Sequence, residues 1–213
     1  EDVFAAVKSC WASLFANHVS IYATETAEQE EARPAIAVVV QRMIDADVAG
    51  VLFTSDPIGG EKDCMLIEAA WGVGEGLVSS QVVTDSYLVE TTSLTVRSKK
   101  IRAKAMSTLC MPDGGVSLSD TPEDLVNAQT LSDANATGLT RYVMALQKCS
   151  DYKDQELDVE WAIKDGDIFI LQARPITTIG RHKEDPIYAD SEEHDQAKLE
   201  NAMFSRMDTG EIV

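Results

Sequence analysis

Asp158-Val159-Glu160-Trp161-Ala162 and Ile170-Leu171-Gln172-Ala173-Arg174-Pro175 set a carboxylate, an amide and a guanidinium at strand spacing. Leu157, Val159 and Trp161 alternate with Asp158, Glu160 and Ala162, the period-two pattern of a strand with one buried face. Phe169, Leu171 and Ala173 alternate with Ile170, Gln172 and Arg174 in the same way. If the two strands form a hairpin, Glu160 and Gln172 offer oxygen donors to a hard cation such as Mg2+. Arg174 then adds a planar fork suited to phosphate oxygens, which a lysine does not reproduce. The plainer reading is a surface hairpin whose polar residues face water, with Arg174 paired to Asp158 or Glu156.

Lys164-Asp165-Gly166-Asp167 supplies the turn, with Gly166 free to take a positive φ. Loop length decides which side chains meet, because a one-residue slip exchanges the faces. A two-residue loop, Asp165-Gly166, sets Glu160 opposite Leu171 and leaves Glu160 and Gln172 on opposite faces. A three-residue loop, Lys164-Asp165-Gly166, sets Asp158 opposite Gln172, with Glu160 one diagonal away on the same face. The three-residue loop is the expectation.

Other elements must hold this hairpin in place. Phe4, Val7, Trp11, Phe15, His18 and Tyr22 recur at helical spacing and predict an amphipathic helix over 3–22. The Val-rich run Ala35 to Ile44 reads as a buried strand, as does Ala49 to Thr54. Asp56 to Gly60 is a turn cluster. Met65 to Trp71 reads as a third strand, and Tyr87 to Glu90 with Thr95 to Lys99 as a hairpin pair. Ser132 is a good N-cap for a helix through Lys148 with Leu139, Val143 and Leu146 inward.

Gly72-x-Gly74-x-Gly76 follows a strand, and glycines there let backbone N–H groups approach phosphate oxygens. Leu77 stands where the dinucleotide fingerprint needs its third glycine, and no G-K-[ST] is present. A tight strand-to-helix turn is the alternative. Glu75 can orient a substrate or a ribose, or simply favour the first turn of a helix. Met43, at the end of the Val-rich run, is either a polarizable cover for a flat ring or a core residue.

The chain has 213 residues, 45% of them hydrophobic, enough for one sizeable core. Its net charge of −18 argues against a nucleic-acid or anionic-membrane partner. A polyphosphate bound to so acidic a protein needs a metal and a few placed arginines. Residues 181–213 alone carry a net −5 and read as a linker or tail. Cys10, Cys64, Cys110 and Cys149 form no C-x-x-C, so reduced thiols and a cytoplasmic location are expected. No apolar run reaches membrane-spanning length.

DVEWAI and LQARPIT resemble the end of the nucleotide-binding region of the phosphoenolpyruvate synthase and pyruvate phosphate dikinase family, shared by rifamycin phosphotransferases. SCWASLF (Ser9 to Phe15), VVVQRMIDADVAGVLFTSDP (Val38 to Pro57) and IEAAWGVGEGLVSSQVVTDSYLV (Ile67 to Val89) match in the same order. The resemblance implies an α+β fold, the C-terminal part of an ATP-grasp domain, with a mostly antiparallel sheet and flanking helices over 1–179 and an acidic linker at 180–213. It implies ATP and Mg2+ as cofactors. Gln41, Arg42, Met43 and Ile44 then line the adenine, and Gly72, Gly74 and Gly76 the phosphates. Glu160 and Gln172 become the metal ligands, with Arg174 and Glu75 acting on the transferred group. The implied activity is that of a phosphotransferase that phosphorylates a mobile histidine and then an acceptor such as pyruvate. A rifamycin-type acceptor and a non-catalytic nucleotide-binding module are the alternatives. The family's first lobe, with its phosphate-binding lysine, and its phosphohistidine domain are expected elsewhere in the same polypeptide. The chain alone is therefore expected to turn over little or no ATP.

Overall fold

The computed structural model describes residues 3–15, 36–55, 63–153 and 155–176. The predicted turn at 56–60, the acidic tail, Tyr22 and all three histidines lie outside these residues.

Helix α1 is Val3–Ser13, and none of its residues is buried among the described residues. Eight strands follow: β1 Val48–Phe53, β2 Cys64–Trp71, β3 Asp85–Glu90, β4 Thr95–Lys100, β5 Met106–Cys110, β6 Val116–Asp120, β7 Leu157–Lys164 and β8 Asp167–Pro175. Three further helices are α2 Glu75–Val78, α3 Glu123–Val126 and α4 Asp133–Leu146. The fold is α+β with antiparallel strand pairing throughout the two sheets. Six strands form a sheet in the order β4-β3-β2-β1-β7-β8, and β5 pairs with β6 in a separate ribbon.

Sequence explains the layering. β1 reads Val-Ala-Gly-Val-Leu-Phe and is buried along its whole length, as suits a strand covered on both faces. On one face Val48, Leu52, Ile67, Val89, Val159 and Trp161 pack against Ala136, Leu139 and Val143 of α4. The predicted N-cap is in place: Asn135 N–H donates to Ser132 Oγ at 3.1 Å. On the opposite face Val51, Phe53, Leu66 and Ala70 meet Leu77 of α2.

One buried ion pair ties the sheet to α4. Lys104 Nζ donates to Asp85 Oδ1 at 2.7 Å, and both side chains are fully buried. Asp85 Oδ2 accepts from Thr130 N at 2.9 Å and from Thr130 Oγ1 at 3.0 Å. Leu131 N–H donates to Tyr87 Oη at 3.0 Å, just before the α4 cap.

Several expectations need correction. Helix α1 ends at Ser13 and 14–15 form a turn, so the described part of the expected 3–22 helix is shorter than expected. The Ala35–Ile44 run is not a buried strand over its described residues: 36–44 have no regular structure, and Val39 and Val40 are 83% and 69% exposed. A strand needs a neighbouring edge to satisfy its amides, and no described strand pairs with this run. The hairpin loop is two residues, not three: Lys164 pairs with Asp167, and Asp165 and Gly166 both take positive φ, the primed-turn geometry. The alternation along β8 also breaks. Ile168 and Ile170 face α4 across from Ile163 and Trp161, whereas Leu171 packs on the other side with Ala162.

No sequence pattern announces the β5–β6 ribbon or α3. The nearest signal is Met111-Pro112-Asp113-Gly114, a proline-led turn between two short runs.

The corner before β1 is pinned to the hairpin turn. Lys164 Nζ donates to Asp47 Oδ1 and Asp165 N–H to Asp47 Oδ2, each at 2.8 Å. The Lys164 hydrogen bond, then that of Asp165, holds the Asp47 carboxyl below its usual range, and Asp47 raises the Lys164 ammonium. A depressed Asp contributes stability that is lost as pH falls through its folded pKa. A raised Lys contributes stability that is lost as pH rises through its own. NMR of the Asp165 amide should therefore report an unchanged hydrogen bond from about pH 5 to about pH 9 and its loss on acidification below about pH 4. Lys104→Ala strands a buried carboxylate, and urea unfolding should show a loss of about 3–5 kcal/mol.

Candidate functional site

β7 and β8 bring the polar groups together. The register places Glu160 directly opposite Gln172 and Asp158 directly opposite Arg174. Directly opposed residues share a face, and so do positions two apart along a strand. All four therefore project from one side of the sheet, with Glu160, Gln172 and Arg174 half-buried.

The two-residue loop should have separated Glu160 from Gln172. A β-bulge prevents this. The pairing shifts between Glu160 and Trp161, so that Leu171 is the extra residue between Ile170 and Gln172. The odd count expected in the loop is supplied inside β8 instead. Asp158 faces Arg174 rather than Gln172, which corrects the expected partner. Arg174 Nε donates to Asp158 Oδ2 at 3.2 Å, with the carboxylate almost fully buried. That contact fixes the guanidinium plane.

An apolar cluster gathers the remaining segments. Ala46, Ala49, Val73 and Ala162 are buried together, with Ile44, Cys110, Val116 and Leu171 packed against them. Ile44 ends the Gln41–Ile44 segment, Val73 sits in the glycine-rich turn, and Ala162 and Leu171 belong to the hairpin. Gln41 Nε2 also reaches the Leu171 carbonyl, at 3.5 Å. Gln41, Arg42 and Met43 are exposed, so Met43 is not a core residue.

The three glycines have different local reasons. Gly72 has φ +80, and a Cβ there would lie 2.0 Å from the Thr108 carbonyl oxygen. Its amide donates to the Asp47 carbonyl and that of Val73 to the Thr108 carbonyl, so both are engaged. A Cβ on Gly76 would lie 2.0 Å from Thr108 Oγ1. At Gly74 the nearest atom is Ala49 Cβ at 3.8 Å, ordinary contact. Close packing of the β5 strand therefore accounts for glycine at 72 and 76 but not at 74. Glu75 is exposed at the start of α2.

The donor set suits a hard cation: one carboxylate and one amide oxygen opposed on a half-buried face leave coordination positions for phosphate and water. Among the described residues no cluster of three His, Cys, Asp or Glu side chains offers a metal cage. Nor is any described helix long and apolar enough to cross a membrane.

Sequence reasoning missed Glu68, which lies on the same face. One transverse row runs Lys100, Ser86, Glu68, Val51, Glu160, Gln172 across the six strands. Its signal was an acid inside the apolar run Met65 to Ala70.

The family model described as "Pyruvate phosphate dikinase, AMP/ATP-binding domain" matches residues 1–195. Prodigiosin synthesizing transferase PigC of Serratia marcescens is 44% identical over 213 residues, which is 100% of this chain and 23% of that protein. A probable phosphoenolpyruvate synthase of Methanothermobacter thermautotrophicus is 40% identical over 190 residues, 87% of this chain and 26% of that protein. Rifampicin phosphotransferase of Bacillus cereus is 32% identical over 179 residues, 84% of this chain and 20% of that protein. The chain thus spans about a quarter of the length of these relatives.

Alanine substitutions should rank by contact. Gly72→Ala meets backbone at a positive φ and should destabilise by about 1–3 kcal/mol or more. Gly76→Ala meets a side-chain hydroxyl and should cost less, and Gly74→Ala should stay within about 0.5 kcal/mol. Urea unfolding of the three variants checks the order.

Proposed function

The chain belongs to the pyruvate phosphate dikinase AMP/ATP-binding domain family, and from that premise we propose that it is the metal- and adenine-holding part of an ATP-grasp domain in a larger phosphotransferase. The domain occupies roughly residues 1–179, and 180–213 is an acidic linker to the rest of the polypeptide. One observation carries the reading: Glu160 stands directly opposite Gln172, with Arg174 gripped by Asp158 one pair along the same face.

In this reading Glu160 and Gln172 would hold the Mg2+ that accompanies ATP. Bound there, the metal neutralises phosphate charge and templates the transferred group. Arg174 presents its fork to the phosphoryl oxygens, with its plane set by Asp158. Gln41 to Ile44 lie beside the adenine, where the exposed Met43 covers the ring face. Gly72, Gly74 and Gly76 shape the phosphate side, and Glu75 orients the nucleotide or the incoming group. Transfer also needs cations from the opposite direction, and a first lobe outside this chain supplies them. The exposed Val39 and Val40 are where that lobe adds its strand edge. The phosphate passes to a histidine on a mobile domain and then to an acceptor in the cytoplasm.

Pyruvate is the acceptor in the simplest version, as in the phosphoenolpyruvate synthases. A second acceptor class is favoured by the match over all 213 residues of this chain, at 44% identity, to a transferase named for prodigiosin synthesis. In that version the phosphoryl group goes to an intermediate of such a synthesis rather than to pyruvate. An antibiotic acceptor, as in rifampicin phosphotransferase, is a third version of the same nucleotide chemistry. Incubating the complete protein with Mg·ATP and pyruvate separates them: phosphoenolpyruvate formation supports the first, and its absence alongside active histidine phosphorylation rejects it.

Glu160→Ala and Gln172→Ala in the complete protein should each lower ATP-dependent histidine phosphorylation by about 100-fold or more while thermal melts stay near wild type. Wild-type rates in both variants at limiting Mg2+ would overturn the metal assignment. Isothermal calorimetry on residues 1–213 alone should find only weak Mg·ATP binding. The non-catalytic alternative predicts nucleotide binding by the complete protein with no phosphohistidine.

A further inference from the structure

Asp158 and Glu68 are the two buried carboxylates on the candidate face among the described residues. Asp158 holds Arg174, whereas Glu68 has no task in the reading above. It lies about 10 Å from Glu160, two strand spacings along the transverse row, with Val51 between them. Its surroundings are otherwise apolar: Val51, Leu66, Ala70 and Leu77 are buried around this face, with Val82 packed against them. An apolar side chain of similar volume serves stability there as well or better, because a carboxylate loses its hydration.

Glu68 meets the hydroxyls of Thr84 and Ser86 and the guanidinium of Arg102. Thr84 Oγ1 donates a short hydrogen bond to Glu68 Oε2, and Arg102 Nη1 stands 3.8 Å from the same oxygen. Arg102 Nη1 in turn donates to the Thr84 carbonyl at 2.7 Å and to Ser86 Oγ at 3.0 Å. Thr84 is therefore gripped by its hydroxyl and by its carbonyl. Glu68 Oε1 is buried without a hydrogen-bond partner among the described residues.

Position in the chain gives these contacts a consequence. β2 carries Glu68 and ends at Trp71, after which the chain enters the Gly72–Gly76 turn and α2. It doubles back through Gln81 N–H to the Gly76 carbonyl at 2.8 Å. It then returns to the sheet at Thr84, one residue before β3. Both ends of the glycine-rich excursion are thus anchored at one carboxylate in the row that carries Glu160.

We propose that Glu68 is a positioning residue for the nucleotide site: through Thr84 it fixes where the glycine-rich segment 72–83 stands relative to Glu160 and Gln172. The proposal rests on the phosphotransferase reading for its consequence in catalysis, but not for its structural content. Burial disfavours the Glu68 anion and raises its pKa, the hydroxyls of Ser86 and Thr84 and the charge of Arg102 oppose this, and Asp85 reinforces it. Lys100 lies beyond Ser86 in the row, and Glu160 beyond Val51. Glutamine keeps an acceptor for Thr84 in either protonation state of the native acid.

The experiment compares E68A, E68Q, T84V and E68A/T84V in the complete protein. KM for Mg·ATP should rise about tenfold in E68A and in T84V, the loss of one hydrogen bond to a buried acid. The double variant should be no worse than E68A, and E68Q should recover to within about threefold of wild type. Hydrogen exchange should quicken at residues 76–84 in E68A and T84V and stay unchanged in α4. A folded E68A with wild-type KM and wild-type exchange at 76–84 overturns the proposal. So does an E68Q no better than E68A, or single-variant effects that multiply in the double. If E68A does not fold, E68Q and T84V carry the same comparison. E160A is run in parallel: full ATP turnover by E160A rejects the phosphotransferase reading, while exchange at 76–84 still decides the role of Glu68.

Discussion

The extra residue at Leu171 is the constraint on which the candidate site depends. A strand changes face at every residue, so a regular β8 leaving the Asp165-Gly166 turn carries Gln172 and Arg174 to the α4 side. There they would meet Trp161, Val159 and Leu139, where an unpaired guanidinium has no partner. The bulge turns the distal half of β8 over. Ile168 and Ile170 stay with α4, Gln172 and Arg174 join Glu160 and Asp158, and Leu171 covers Ala162 beside Ile44. One irregularity thus satisfies an apolar core near the turn and a polar face farther along.

Two buried carboxylates support that arrangement from opposite faces. Asp85 accepts from Lys104, Arg102 and Thr130, linking β3 to the chain that leads into α4. Such a pair offers little net stability over an apolar substitute, but its geometry is demanding. Its value lies in fixing register, since only one alignment of β3 satisfies every donor. Glu68, on the other face, anchors the return from the glycine-rich turn. Neither residue touches the hairpin; Asp85 ties β3 to the chain leading into α4, and Glu68 meets the end of the glycine-rich excursion at Thr84.

Much of the strand content was legible. β1, β2, the β3–β4 hairpin and the N-cap of α4 follow from apolar period, turn residues and Ser132. The Ala35–Ile44 run was not, because a Val-rich sequence records β preference but not whether an edge is available to pair with it. The β5–β6 ribbon escaped notice for a related reason. Its strands are short and half-exposed, and what holds them is contact of Thr108 with Gly72 and Gly76, far away in sequence.

Composition and period determined an acidic chain rich in strands, and the resemblance carried by motif order implied a nucleotide-binding domain and named Glu160, Gln172 and Arg174, because those signals are local and read residue by residue. Tertiary structure decided which of them meet. A hairpin with a bulge and a hairpin with a longer loop have the same local alternation. They differ only in how the sheet and α4 together fill space, and packing chose the bulge by setting the half-buried Ile168 beside α4 on the side of the buried Trp161.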